Sequence, residues 1–383
     1  MAERNVYRKH QSFVGLHQKS PLANVLPRIQ RVRDGLPSMQ ESEDRKAILK
    51  KACDEILENA TTIQDHAPFT LHPNSIEEIH RLSDAELPRY LFYRYRYEMF
   101  PDRKLLDAHP PLLQIEPTSV CNYRCVFCYQ TDTALTSKDS VERGMMSLDL
   151  FKQIIDQAEG HCEGITLASR GEPTASPHIK EMMAYLRGKF LATKLNTNAS
   201  LLDEAKCHAI LEADLQTLVF SADAASEPTY SQFRVGGHLD TVLRNIRRFH
   251  DIRIKQYPQS RLITRVSGVK VPGTPDLDAM EKFWGELVDQ VAFVSYNPWE
   301  NSYESPVNDV TDACSDLWRR MFIWWDGRVN PCDVDYLSRL AVGRFPEKSL
   351  AELWRSPSYE ELRRKHLTKA RAQCYPCNRC TVV

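Results

Sequence analysis

The rhythm of hydrophobic positions changes near Pro111. Beyond it, short apolar runs of strand length alternate with longer segments whose apolar residues recur at helical spacing. Strands are predicted at Leu112–Glu116, Gly164–Ser169, Thr193–Asn196, Thr217–Ser221, Leu262–Ser267 and Gln290–Tyr296. Helices are predicted between them at Leu148–Ala158, Pro177–Arg187, Asp203–Glu212, Leu239–Asp251 and Asp276–Val288. Such alternation means a parallel sheet covered by helices, as an open wound sheet or as a full or partial barrel. In either architecture the functional residues belong at the carboxyl ends of the strands.

Residues 1 to about 110 predict a helical and irregular extension, with turns at Pro21, Pro27, Gly35 and Pro37 and a helix from about Ser42 to Thr62. Its first forty residues carry seven Lys or Arg (Arg4, Arg8, Lys9, Lys19, Arg28, Arg31, Arg33) against Glu3 and Asp34. We read this arm as a solvated or partner-docking segment in preference to an RNA or membrane contact. The run from Tyr90 to Tyr97, YLFYRYRY, suits either base stacking or an amphipathic helix that packs its aromatic face on the next domain.

Composition narrows the function. The 383 residues carry a net charge of -1, with 42% hydrophobic and 26% charged residues. This is the balance of a soluble globular protein, and it argues against a general electrostatic nucleic-acid binder. The start has no apolar signal region and no later stretch approaches about 18 uninterrupted apolar residues. The expectation is a cytoplasmic protein without a membrane partner. In that compartment eleven cysteines do not read as a disulfide framework. Eight fall in two groups, Cys121, Cys125 and Cys128, then Cys314, Cys332, Cys374, Cys377 and Cys380. Cys53, Cys162 and Cys207 stand alone and read as small buried hydrophobes.

The first group, Cys121-Asn-Tyr-Arg-Cys125-Val-Phe-Cys128, follows the first predicted strand directly. Three thiolates can hold three irons of a [4Fe-4S] cubane and leave the fourth open to bind another molecule. A zinc knuckle is the weaker reading, because zinc more often takes paired C-x2-C arms. With this motif the chain resembles the radical S-adenosylmethionine (SAM) superfamily. The resemblance implies that the open iron chelates SAM, and that an electron from the cluster cleaves it to a 5′-deoxyadenosyl radical that abstracts a substrate hydrogen. Phe127 resembles the family's aromatic near adenine. Ser169-Arg170-Gly171-Glu172-Pro173 resembles the Gly-Gly-Glu-Pro motif that receives the SAM amino group, with Arg170 replacing its first glycine. Asn196-Thr197-Asn198 resembles the stretch near the ribose, with Ala199 in place of glycine. Ser221 and Asp223, then Tyr230, Arg234, Gly236 and Gly237, repeat a further family pattern. It implies a ribose or carboxylate hydrogen bond for Ser221, and for Arg234 either a carboxylate clamp or a satisfied ion pair. Val269 resembles the late-strand backbone contact to adenine.

In the second group, Cys314 is followed by seventeen residues and then Cys332, and the intervening WWDGRV reads as a β-hairpin turning at Asp326-Gly327. Cys374-Tyr-Pro-Cys377-Asn-Arg-Cys380 comes about forty residues later. Two distant cysteines plus a C-x2-C pair make a closed four-thiolate site, for an iron-sulfur cluster or for zinc in a ribbon. The region resembles the twitch or SPASM extension of radical SAM enzymes, as do Gly343 and the run Ser349 to Arg363. The resemblance implies one auxiliary [4Fe-4S] cluster on Cys314, Cys332, Cys374 and Cys377, with Cys380 able to replace one of the last two.

The expected fold is therefore α/β: a partial (β/α)6 barrel of the radical SAM type over residues 111–300. It follows a mostly helical extension, 1–110, and precedes a small β-hairpin and helix auxiliary-cluster domain, 301–383. The expected activity is oxidation or epimerisation of a small polar metabolite, a sugar or aminoglycoside-type alcohol, by a dehydrogenase or epimerase. Related dehydrogenases place a carboxylate beside the second auxiliary cysteine, which nominates Asp333, then Asp335, as general base; a turn or hydrogen-bonding aspartate is the other reading of each. An electron donor such as flavodoxin or ferredoxin is implied. Two alternatives stand beside it: a maturase-type enzyme acting on a ribosomal peptide, and a non-catalytic iron-sulfur or zinc protein.

Overall fold

The computed structural model describes residues 13–14, 21–58, 68–270 and 277–383. The amino-terminal region forms α1 (Leu26–Gly35), α2 (Glu43–Glu58), α3 (Pro73–His80) and α4 (Leu87–Arg103). They share an apolar core that includes Ile29, Leu49, Ile79 and Leu91 and reaches Leu112 and Ala192 of the sheet. On α4 the side chains of Tyr90, Tyr93, Tyr95 and Arg96 are all buried. The aromatic run thus packs on its neighbours as an amphipathic helix, and these three tyrosine rings are not open to stacking by bases. Arg28 and Arg31 pair with Asp84 at 2.7 and 3.0 Å, and Arg33 pairs with Asp54, so these members of the basic arm serve internal contacts. Arg4, Arg8, Lys9 and Lys19 lie outside the described residues.

The predicted alternation follows. Strands β1 (Leu112–Ile115), β2 (Gly164–Leu167), β3 (Ala192–Thr197), β4 (Thr217–Ser221), β5 (Ile263–Lys270) and β6 (Gln290–Ser295) pair in parallel, in chain order. The connecting helices are α5 (Leu148–Ala158), α6 (Ile179–Leu186), α7 (Glu204–Glu212), α8 (Leu239–Gln256) and α9 (Leu277–Gly285). Helix α5 shows how the sequence selects them. The Ser147 hydroxyl accepts a hydrogen bond from Leu150 N at 3.2 Å and caps the first turn, and Phe151, Ile154, Ile155 and Ala158 form one buried stripe. Cys162 and Cys207 lie in this core and Cys53 in the amino-terminal one, each at most 1% exposed, as expected of apolar fillers.

The carboxyl-terminal hairpin is continuous with this sheet. Strand β7 (Arg320–Ile323) pairs in parallel with β1, from Arg320 opposite Leu112 to Ile323 opposite Ile115. Strands β8 (Arg328–Asn330) and β9 (Gly343–Arg344) follow in antiparallel order. At the hairpin turn Gly327 has φ +84°, and a Cβ there would come within 2.2 Å of the Phe345 carbonyl oxygen, so the turn requires glycine. Phe13–Val14 pairs with β6 at the opposite edge. The sheet is open among the described residues, as a partial barrel requires.

Candidate radical SAM and iron-sulfur site

The first cysteine group occupies the loop leaving β1. A two-residue antiparallel ladder, Arg124 opposite Val235 and Cys125 opposite Arg234, ties this loop to the segment after β4. Cys121, Cys125 and Cys128 line one cavity of about 340 Å³ at the carboxyl ends of the strands. Burial pushes the Cys121 thiol up to about 12 and raises those of Cys125 and Cys128 as well. A thiol tuned as a nucleophile is shifted the opposite way, and such buried sulfurs become thiolates by binding metal. Among the described residues no three His, Cys, Asp or Glu side chains converge tightly enough for a single metal ion. One zinc would need every sulfur about 2.3 Å from one point. In a cubane each thiolate binds a different iron, so three sulfurs facing one cavity fit it better.

The expected SAM-binding residues surround these thiols. Phe127, Gly171, Glu172, Asn198, Ser221, Arg234 and Val269 all line the cavity. Glu172 is held rigidly at the strand ends. Its Oε1 accepts from Thr174 N at 3.0 Å and the Thr197 hydroxyl at 2.7 Å, and its Oε2 from Asn198 N at 2.7 Å. Gly171 sits where a Cβ would come within 2.3 Å of the Thr118 carbonyl oxygen, so the two strand-end loops touch through their backbones. Pro173 and Asp223 stand behind the wall and not on it. Pro173 is buried and opens the short turn Pro173–Ala175. Asp223 is fully buried, pairs with Arg234, and accepts from Val269 N at 2.6 Å. Arg234 is thus the satisfied ion pair, yet it also faces the cavity. Its Nη1 donates to Cys125 Sγ at 3.6 Å, and its guanidinium lies 5.3 Å from the Phe127 ring centroid. Ala199, where the family pattern has glycine, adopts φ +61°, a conformation costing about 1–2 kcal/mol for a residue with a Cβ.

Arg170 replaces the other motif glycine, and its side chain runs towards the hairpin. Its Nε and Nη2 each donate to Glu116 at 2.7 Å, and its Nη1 donates to Glu142 and to the Tyr336 carbonyl, both at 2.8 Å. The guanidinium stacks 4.5 Å from the Trp324 ring centroid. Arg328 of β8 grips Glu142 from the other side at 2.7 and 2.8 Å. A buried chain of charges therefore joins the motif loop to the hairpin preceding Cys332.

Of the two proposed bases, Asp333 lines the cavity and is 6% exposed. Asp335 is fully buried and not among the cavity-lining residues; its carboxylate accepts from the Tyr303 hydroxyl at 2.8 Å, Arg339 N at 3.0 Å and Leu340 N at 2.7 Å. Burial pushes its carboxyl up to about 6. Its place is to close the loop after Cys332.

The second cysteine group also gathers. Cys332 lies within electrostatic reach of Cys377 and Cys314, and Cys314 and Cys377 each within reach of Cys380. Cys374 lies in the fields of Lys365, Glu361 and Arg371 and within electrostatic reach of Cys377. The five sulfurs thus gather in one neighbourhood, Cys380 among them. The sequence gives no hint of the residue that organises this loop. Arg371, 1% exposed, donates to the carbonyls of Asp312 and Cys377 at 3.0 Å, Val382 at 2.8 Å and Cys380 at 2.6 Å. Lys194 and Arg320, also unforeseen, line the deeper part of the first cavity.

Comparison with known proteins agrees with this arrangement. Residues 115–275 match the family model of the Radical SAM superfamily, and residues 314–381 match SPASM, an iron-sulfur cluster-binding domain. The chain is 30% identical over 163 residues to the Fe-coproporphyrin III synthase of Methanosarcina barkeri, a stretch covering 40% of this chain and only 39% of that relative. Its fold is similar to anSMEcpe with bound AdoMet and Kp18Cys peptide, with a TM-score of 0.51 and 17% identity over 71% of this chain and 88% of that one. It is likewise similar to Streptococcus suis SuiB bound to S-adenosylmethionine, with a TM-score of 0.50 and 14% identity over 90% of this chain and 88% of that one. At such identities the likeness concerns the fold alone. The radical SAM domain binds a [4Fe-4S] cluster and SAM, and the SPASM domain binds auxiliary iron-sulfur clusters. The chain belongs to the radical SAM superfamily and carries a carboxyl-terminal SPASM domain.

Proposed function

We propose that the chain oxidises a small polar substrate held in the cavity beneath the first cysteine loop, by removal of a hydrogen from carbon. When bound, the cluster and SAM supply a 5′-deoxyadenosyl radical that can take this hydrogen atom, and the auxiliary cluster supplies an acceptor for one electron. The residues of the chain do the rest. Cys121, Cys125 and Cys128 hold three irons. Glu172, held by Thr174, Thr197 and Asn198, fixes the strand-end surface that would receive the SAM amino group, and Phe127 and Val269 would flank the adenine. Arg234 holds the cysteine loop in place through the Cys125 sulfur.

At the carbon, loss of a hydrogen atom, a proton and an electron converts an alcohol to a carbonyl. Asp333, at the cavity wall beside Cys332, receives the hydroxyl proton on a carboxylate oxygen. Cys314, Cys332, Cys374 and Cys377, with Cys380 able to replace one of the last two, would hold the electron acceptor. The observation that carries this reading is the shared cavity: the three thiols, the Glu172 loop and Asp333 all line it. The test is anaerobic reconstitution followed by dithionite and SAM. Release of 5′-deoxyadenosine by the wild-type chain, and none by Cys121→Ala, supports the enzyme. Zinc with no nucleoside supports a non-catalytic binding protein.

A further inference from the structure

Further down the strands than the residues expected to meet SAM, the cavity carries a second set of polar groups. Gln114 of β1, Thr166 of β2 and Lys194 of β3 are successive cross-strand partners, and all three line the cavity. They form a polar row across three parallel strands, one step below Asn196. Interior positions of a parallel barrel sheet are ordinarily filled by branched apolar side chains. Arg320, the first residue of β7, lines the same space, reaches Gln114 Oε1 at 3.5 Å and donates to the Tyr97 hydroxyl.

The Lys194 ammonium has no hydrogen bond or ion pair among the described residues. Arg319 and Arg320 both pair with Asp316, at 3.1 Å each, and Arg320 also lies in the field of Asp333, so among the described residues Lys194 is the cation of this floor without a paired carboxylate. Burial, aided by the fields of Arg265 and Arg320 and opposed by those of Tyr97 and Glu78, lowers the Lys194 amine to about 8. Lys194 is half-buried in the cavity wall, and an incoming anion would supply the counter-charge that the surrounding residues do not pair with it.

Resting on the reading of this cavity as the substrate chamber, we propose that the substrate carries an anionic oxygen group, a carboxylate or a phosphate, which binds between Lys194 and Arg320. Gln114 and Thr166 complete the hydrogen bonding around it, and the group lies deeper in the cavity than Asp333. A substrate whose only charged groups are amines meets two cations at this floor and is disfavoured, which turns the substrate class away from basic aminoglycosides.

The experiment uses the full chain, reconstituted with its clusters and saturated with SAM so that SAM's own carboxylate is already placed. Equilibrium dialysis then measures binding of succinate, inorganic phosphate and the neutral analogue succinamide. Wild type should bind one of the anions at least about tenfold more tightly than succinamide; Lys194→Gln should lose about tenfold in that affinity, and Lys194→Arg should keep most of it. The preferred probe identifies the anion as carboxylate or phosphate. The inference is overturned if wild type binds neither anion, if it binds succinamide equally well, or if Lys194→Gln binds the anion unchanged. It is also overturned if Lys194→Gln loses SAM affinity by the same factor, which would assign the lysine to SAM. The wild-type comparison of charged and neutral probes stands whether or not the variants fold. Nucleoside release without anion binding defeats this inference alone, whereas anion binding without nucleoside release defeats the enzymatic reading instead.

Discussion

Replacing Arg170 by methionine probes the joint between the motif loop and the hairpin. The side chains of Arg170 and Glu116 are both 0% exposed. After the substitution Glu116 keeps two weak backbone donors, Arg170 N and Trp325 N, each at 3.2 Å, and loses both guanidinium bonds. Glu142 keeps Arg328 at 2.7 Å, so a single carboxylate is orphaned. Removing one partner of a buried pair costs about 3–5 kcal/mol. Converting Glu116 to glutamine in the same chain removes the uncompensated charge and should recover most of that loss. Equilibrium urea unfolding followed by tryptophan fluorescence is well placed to read the change, because Trp324 lies 4.5 Å from the guanidinium. If Arg170→Met falls within about 0.5 kcal/mol of wild type, or if the double variant is no more stable than the single one, the joint does not hold the hairpin as argued.

Four further outcomes follow from the same geometry. Gly171→Ala forces a Cβ against the Thr118 carbonyl oxygen at 2.3 Å and should destabilise by about 1–3 kcal/mol while weakening SAM binding, both measurable by thermal melts with and without SAM. Burial would raise the Glu142 carboxyl, but hydrogen bonds from Arg328 and Arg170 outweigh it and hold the group below its ordinary range. Its stabilising contribution is therefore complete above the unfolded value of about 4.3 and is lost as pH falls through the folded value; Glu142→Gln should flatten this acid limb in urea titrations between pH 3 and 5 (about the range either side of that unfolded value). Asp333→Asn should leave 5′-deoxyadenosine release intact and suppress oxidised product, and loss of nucleoside release would refute its role as base. Alanine at Cys53, Cys162 or Cys207 should leave the iron content of reconstituted protein unchanged, whereas alanine at Cys314 should lower it.

Much of the sheet was legible because its strands are short apolar runs bounded by turn residues; five of the six lie within two residues of their expected ends, and β5 runs three residues further, to Lys270. The hairpin was equally plain, since Asp326-Gly327 is a local signal. Its attachment to β1 was not, because a parallel pairing between residues two hundred positions apart leaves no periodic trace. The cysteine loop and the motif residues at the strand ends were legible by spacing and by resemblance. What the motif could not convey was the direction of side chains. Arg170 was visible as a departure, but its bonds to Glu116 and Glu142 depend on a loop and a strand far away in sequence. Asp333 and Asp335 are the same residue type two positions apart, and only the folded loop separates the one at the cavity from the one consumed by Tyr303, Arg339 and Leu340. Lys194 and Arg320 drew no notice in the sequence, because they meet only through the strand order that sets β7 beside β1 and β3 beside β2.

The central claim is that Cys121, Cys125 and Cys128 leave one iron free to take SAM. The most direct measurement is electron paramagnetic resonance of the reduced chain bearing alanine at Cys314, Cys332, Cys374, Cys377 and Cys380, so that the signal comes from the first cluster, titrated with SAM. The account predicts that the spectrum shifts to a new set of g-values as SAM binds. A spectrum indifferent to SAM, from a cluster held by a fourth protein ligand, would contradict it.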